Sequence, residues 1–155
     1  SVEEMLDCHG QQAKDQLDKA IQLKSDYAPA RYQMAAASQL EGKTDDAIKK
    51  LEEAKKYAPN DVGLVFQLGL LYYQTKDYQK AQAEFNTAVA ISPNYSNALY
   101  FSGLTYYLLN QNDKAIDRIS KVVSLNPDNE EAKKALANLR AGKDPLEGVQ
   151  EAPIQ

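Results

Sequence analysis

Pro59, Pro93 and Pro127 stand at a constant interval of 34 residues, and the residues around them repeat in step. A fixed period of this length implies stacked structural repeats, in which each unit buries its apolar face on its neighbour. Ala54, Ala88 and Val122 lie five residues before the prolines, Leu51, Phe85 and Ile119 eight before, and Ala47, Ala81 and Ala115 twelve before. Ala35, Gly69 and Gly103 lie twenty-four before, and Asn60, Asn94 and Asp128 follow directly. The register extends upstream without its proline, through Ala13, Leu17, Ala20, Ser25 and Asp26.

The second copy reads Leu68-Gly69, Tyr72, Ala81, Phe85, Ala88, Pro93, and the third Gly103, Tyr106, Ala115, Ile119, Pro127. The first is degenerate, with Met34-Ala35, Ser38, Ala47, Leu51, Ala54 and Pro59. This pattern resembles the tetratricopeptide repeat, whose signature is an aromatic-x2-Leu-Gly-x2-Tyr stretch followed by Ala-x3-Phe, Ala and Pro. The large aromatic that opens the signature is replaced by Arg31, Val65 and Leu99. The resemblance covers about residues 8–141 and implies an all-α fold, a right-handed superhelical solenoid of antiparallel helix pairs.

We divide the chain into a partial repeat at 1–27, repeats at 28–61, 62–95 and 96–129, a closing helix at 128–141 and a tail at 142–155. First helices are expected near 28–41, 61–75 and 95–109, and second helices near 11–24, 44–57, 78–91 and 112–125. Asp26, Asn60, Asn94 and Asp128 are placed to cap the first helices that follow them. The prolines stop the helix before, because proline cannot continue the hydrogen-bond ladder. Pro29 suits a first turn. Gly42, Lys76-Asp77 and Asn110 mark tight turns within pairs. Gly69, Gly103, Ala81 and Ala115 are read as packing residues that let backbones approach. Pro145, Gly148 and Pro153 oppose another helix, so disorder is expected from about 142.

The resemblance implies a concave wall lined by the second, fifth, ninth and twelfth residues of each unit. The fifth residues are Tyr32, Phe66 and Tyr100, the ninth Ala36, Leu70 and Leu104, and the twelfth Gln39, Tyr73 and Tyr107. Phe66, Leu70 and Tyr73 share one helix face at i, i+4 and i+7, as do Tyr100, Leu104 and Tyr107. A ladder of rings is expected, with Asn97, Gln39, Gln67 and Gln74 supplying hydrogen bonds to a bound peptide or helix. The same spacing also fits a stripe buried on the next repeat. For Phe66, Leu70 and Leu104 both readings fit, whereas tyrosine hydroxyls favour a half-wet surface. Chaperone-binding members of the family grip a C-terminal carboxylate with Lys, Asn and Arg. The matching positions hold Tyr32, Ala36, Gln67, Asn97 and Phe101, and no basic residue, which argues against a carboxylate clamp.

Other chemistry finds few residues to carry it. The net charge of −4 opposes nucleic-acid binding, which needs a basic stripe. No apolar run approaches the roughly 18 residues that would cross a bilayer. Cys8 is the one cysteine and His9 the one histidine, so neither a metal site nor a nucleophile–base pair can be completed from them. No cofactor is implied. Carboxylates such as Asp45-Asp46, Glu52-Glu53 and Glu130-Glu131 alternate with lysines and read as solvated faces. The chain opens partway through the repeat register and is read as the C-terminal module of a longer protein, in the cytoplasm or attached to a membrane protein. By analogy it is likened to the repeat tails that follow polytopic membrane domains in bacterial envelope proteins. The leading expectation is a non-catalytic scaffold that holds a protein segment. The alternative is a self-association or spacer module, with Leu146, Val149 and Ile154 as weak groove ligands for a second copy.

Overall fold

The computed structural model describes residues 43–149, all helix and turn. In chain order the helices are α1 Thr44–Tyr57, α2 Val62–Gln74, α3 Tyr78–Ile91, α4 Ser96–Leu108, α5 Asn112–Leu125 and α6 Glu130–Arg140. The first helices α2, α4 and α6 open at 62, 96 and 130, so the 34-residue sequence period is also the structural period. The architecture is an all-α solenoid of paired antiparallel helices. The partial repeat and helices expected before residue 43 lie outside the described residues, as do Tyr32, Gln39, Gly42 and Ile154.

Two kinds of joint alternate. At each proline joint, four residues close a turn: Asp61 N–H donates to Ala58 O (3.2 Å), Tyr95 N–H to Ser92 O (3.1 Å) and Asn129 N–H to Asn126 O (3.0 Å). Proline fills the second position of each turn, where its fixed φ suits the bend. The turn moves the cap one residue beyond the position expected from sequence. Asp61 Oδ1 accepts from Leu64 N–H at 3.1 Å and Asn129 Oδ1 from Ala132 N–H at 3.0 Å. In the middle copy the closing residue is Tyr95, so α4 starts with no side-chain cap. Asn60, Asn94 and Asp128 are exposed inside the turns.

The joints within pairs use a left-handed residue. Lys76 (φ 63°) and Asn110 (φ 61°) hold that conformation, while Asp77 N–H reaches back to Tyr72 O (2.9 Å) and Gln111 N–H to Tyr106 O (2.8 Å). This pattern satisfies carbonyls that a helix end otherwise leaves unpaired.

The chain divides into two compact units between Leu71 and Tyr72. In the first, Ala47, Leu51, Ala54, Leu64, Val65, Leu68 and Leu71 are buried. In the second, α3 packs on α4, α4 on α5 and α5 on α6. Gly103 shows why its position is small. A Cβ there would stand 2.6 Å and 2.7 Å from the Cδ1 and Cγ1 of Ile119, well inside van der Waals contact. Ala81, Phe85, Ala115 and Ile119 are completely buried, in agreement with a packing role for the signature residues. A polar knot also ties α3, α4 and α5 together. Asn86 Oδ1 accepts from Gln82 Nε2 (2.9 Å), Arg118 Nη2 (3.1 Å) and Tyr106 Oη (3.3 Å), and Gln82 Nε2 also donates to Ser102 Oγ (2.8 Å).

From 142 to 149 the chain forms hydrogen-bonded turns, and residues 150–155 of the expected tail lie outside the described residues. Gly142 (φ 72°) ends α6, and Lys143 N–H returns to Asn138 O at 2.8 Å. Pro145 is fully buried. Proline and glycine forbid a helix here, as read from sequence, but the buried Asn138 side chain supplies donors that fix the turns. Nδ2 of Asn138 donates to Pro145 O (3.2 Å) and Glu147 O (2.9 Å). Among the described residues, no helix is long and apolar enough to cross a membrane.

Candidate functional site

Tyr73, in the last turn of α2, meets two rings edge-on: Phe101 at 5.6 Å between centroids and Tyr78 at 5.8 Å. Phe101 meets Tyr100 edge-on at 5.9 Å and stacks on buried Phe85 at 6.0 Å. Phe101 is therefore the hub that joins Tyr73 to Tyr100. These separations lie in the favourable range for aromatic pairs, which adds rigidity beyond the area buried.

Beside Tyr100 a cleft of about 230 Å³ opens between the N-termini of α4 and α6. Ser96, Asn97, Tyr100, Phe101, Asn129 and Glu131 contribute to its lining. Tyr100 Oη donates to Glu131 Oε1 at 2.8 Å, and Asn126 Nδ2 donates to Ser96 Oγ at 2.9 Å. Burial raises the Tyr100 phenol pKa, and its hydrogen bond to the Glu131 carboxylate, with that negative charge, raises it further. Burial likewise raises that of Tyr73, with smaller contributions from Tyr78 and Asp144. Both rings are thus neutral hydrogen-bonding groups at physiological pH. Among the described residues, Glu131 is the one charged side chain lining the cleft.

The structure sorts the residues singled out from sequence. Tyr73 and Tyr100 join through Phe101. Asn97 is exposed at the cleft, and Phe66 and Leu70 are half-buried in the first unit. Leu104 is only 4% exposed and offers no surface. Tyr107 leans on a buried cluster that includes Ile119, Leu136 and Leu139, and Tyr100 rests on the same cluster. The face of α4 is thus partly consumed by packing. Tyr32 and Gln39 lie outside the described residues. Two residues of the face were not selected from sequence. Phe101 entered only as a position lacking a basic residue, and Glu131 as part of a solvated helix face. Glu131 had a usable signal, since it holds the second position of a fourth unit counted from Glu130.

Among the described residues, no group of three His, Cys, Asp or Glu side chains could hold a metal ion. Cys8 and His9 lie outside those residues. A family model described as tetratricopeptide repeat matches residues 39–98 and 72–139. The chain belongs to the tetratricopeptide repeat family. Solved tetratricopeptide structures agree in fold. MamA from Desulfovibrio magneticus RS-1 is 24% identical, with 90% of this chain and 78% of that chain covered and a TM-score of 0.78. YrrB, described as a tetratricopeptide protein with an unusual peptide-binding site, is 22% identical over 84% of this chain and 68% of that one, with a TM-score of 0.70. The first tetratricopeptide domain of Spaghetti (RPAP3), bound to the HSP90 peptide SRMEEVD, is 23% identical over 74% of this chain and 91% of that one, with a TM-score of 0.70. No curated protein matches.

Proposed function

We propose that this chain is a non-catalytic interaction module that holds a peptide or helix of a partner protein against the Tyr73–Phe101–Tyr100 face and the adjoining cleft. The observation that carries this reading is a rigid, half-buried array of rings beside an open cleft with polar groups at its edge. Apolar area with a few placed polar groups is what a recognition site for a peptide requires. YrrB and the RPAP3 domain are each described with a peptide or a peptide-binding site, which supports the same class of function here.

The chemistry of the cleft selects its ligand. Glu131 is a carboxylate, and among the described residues no lysine or arginine lines the cleft. A terminal carboxylate would meet a like charge with no cation to offset it. A segment that presents hydroxyl, amide or cationic donors suits Glu131 and the Asn97 and Asn129 amides. This supports rejection of the carboxylate clamp. Magnitude also matters. Each aromatic ring can bury roughly 150–250 Å² in total, and these rings are already partly covered. Two or three of them supply a minority of the about 800 Å² that one partner buries in a standard interface. Affinity in the micromolar range is therefore expected for an isolated peptide.

A peptide array probed with wild type, Asn97→Arg and Asp117→Arg tests the site. Asn97 is exposed at the cleft, and Asp117 is exposed on α5. Peptides lost with Asn97→Arg and kept with Asp117→Arg place binding at the cleft. Equal peptide sets on all three proteins contradict it.

A further inference from the structure

The turns after α6 do more than end a helix. Counted from Glu130, Lys134 and Asn138 hold the fifth and ninth positions of a fourth unit, the register of Tyr100 and Leu104 one unit earlier. They are therefore the continuation of the wall read as the binding surface. The tail lies on this face. The Asn138 amide, itself buried at 6% exposure, donates to the carbonyls of Pro145 and Glu147. One helical turn back, a Cβ on Gly148 would lie 3.8 Å from Lys134 Cε. The tail thus runs antiparallel to α6, past Asn138 and then Lys134.

Its contacts have the form of a bound peptide. A side-chain amide on a helix holds two backbone carbonyls two residues apart, and the proline at the first of them is completely buried. The segment also braces itself. Asp144 Oδ1 accepts from Leu146 N–H (2.8 Å), Asp144 O from Glu147 N–H (3.0 Å) and Leu146 O from Val149 N–H (3.1 Å).

We propose that Asp144–Val149 is a ligand bound in cis: the chain fills the α6 end of its own binding wall, and a partner segment gains that end by displacing the tail. This rests on the reading of the wall as a peptide-binding surface. The segment also defines the ligand class for this end of the wall, a turn-forming stretch with a buried proline and carbonyls presented to Asn138.

The test uses a fluorescent synthetic peptide of sequence Lys143–Val149 as probe, and full-length chains. Pro145→Asp places a charge where no solvent reaches. Gly148→Val is a second route to release, because Gly148 is exposed but held at φ 69°, which a β-branched residue resists. Hydrogen exchange at the Leu146, Glu147 and Val149 amides reports release directly. Expected is faster exchange in both variants, probe binding at least tenfold tighter than to wild type, and loss of that binding when Asn138→Leu is added. Released tails with no gain in probe binding, or a gain that survives Asn138→Leu, would overturn the inference. So would unchanged exchange in both variants. The array result with Asn97→Arg is independent of the tail, so failure of the cis ligand and failure of the wall as a binding surface give different patterns.

Discussion

Gly103 and Ile119 show how a single missing carbon sets the spacing of α4 and α5. A methyl group at 103 meets two carbons of a completely buried side chain, so the helices must part or Ile119 must leave its rotamer. Gly103→Ala should destabilise by about 1–3 kcal/mol, the usual range for overpacking. The gain in helix propensity, about 1 kcal/mol at most, offsets only part of this. Ile119→Val in the same chain should recover some of the loss, as read by urea denaturation. Equal destabilisation with and without Ile119→Val would mean that this contact is not the cause. Tyr100 gives a second test at this scale. An unfolded tyrosine ionises near pH 10, whereas the folded one keeps its proton to higher pH because ionisation would bury a charge beside Glu131. Its contribution is therefore complete below pH 10 and is lost as pH rises through the folded value. Tyr100→Phe should flatten the fall in stability between pH 9 and pH 11. An unchanged slope would contradict the assignment.

At the scale of elements, the joints matter more than the helices. The prolines predict where helices stop, and the stops fall as expected. At Pro59 and Pro127 the caps shifted by one residue, because each of these prolines nucleates a four-residue turn whose last member, Asp61 or Asn129, supplies the capping oxygen. Asn129→Ala should therefore cost about 1 kcal/mol, while Asp128→Ala should be nearly neutral. Thermal melts of the two variants decide this, and equal losses would return the cap to Asp128. Lys76 holds a left-handed conformation that glycine adopts freely. Lys76→Gly should raise stability by about 0.5–1 kcal/mol, and a lower melting temperature would show that Lys76 makes contacts that outweigh its strain. The period and the proline positions made helix identity and order legible in the sequence. The turns at 142–149 were not legible in the sequence because they depend on one buried amide, Asn138, whose donors find carbonyls seven and nine residues away. Local propensity has no access to such a contact.

At the scale of the molecule, repetition singled out one helix face as the proposed wall but left its surface undecided. Register alone puts Tyr100, Leu104 and Tyr107 on one stripe, yet burial takes Leu104 and packing takes much of Tyr107. Whether a residue on a repeat face is free depends on its neighbour, here α6, whose Leu136 and Leu139 belong to the cluster on which Tyr107 packs. Phe101 gains its place at the hub of the rings for the same reason: its partners Tyr73, Phe85 and Tyr100 come from three helices. The central claim is that the ring face and its cleft bind a protein segment. The peptide array on wild type, Asn97→Arg and Asp117→Arg, with folding checked by circular dichroism, tests it most directly. Peptides rich in donor groups, bound by wild type and Asp117→Arg and lost with Asn97→Arg, are the predicted result. Binding that ignores Asn97→Arg, or a set dominated by free terminal carboxylates, would contradict it.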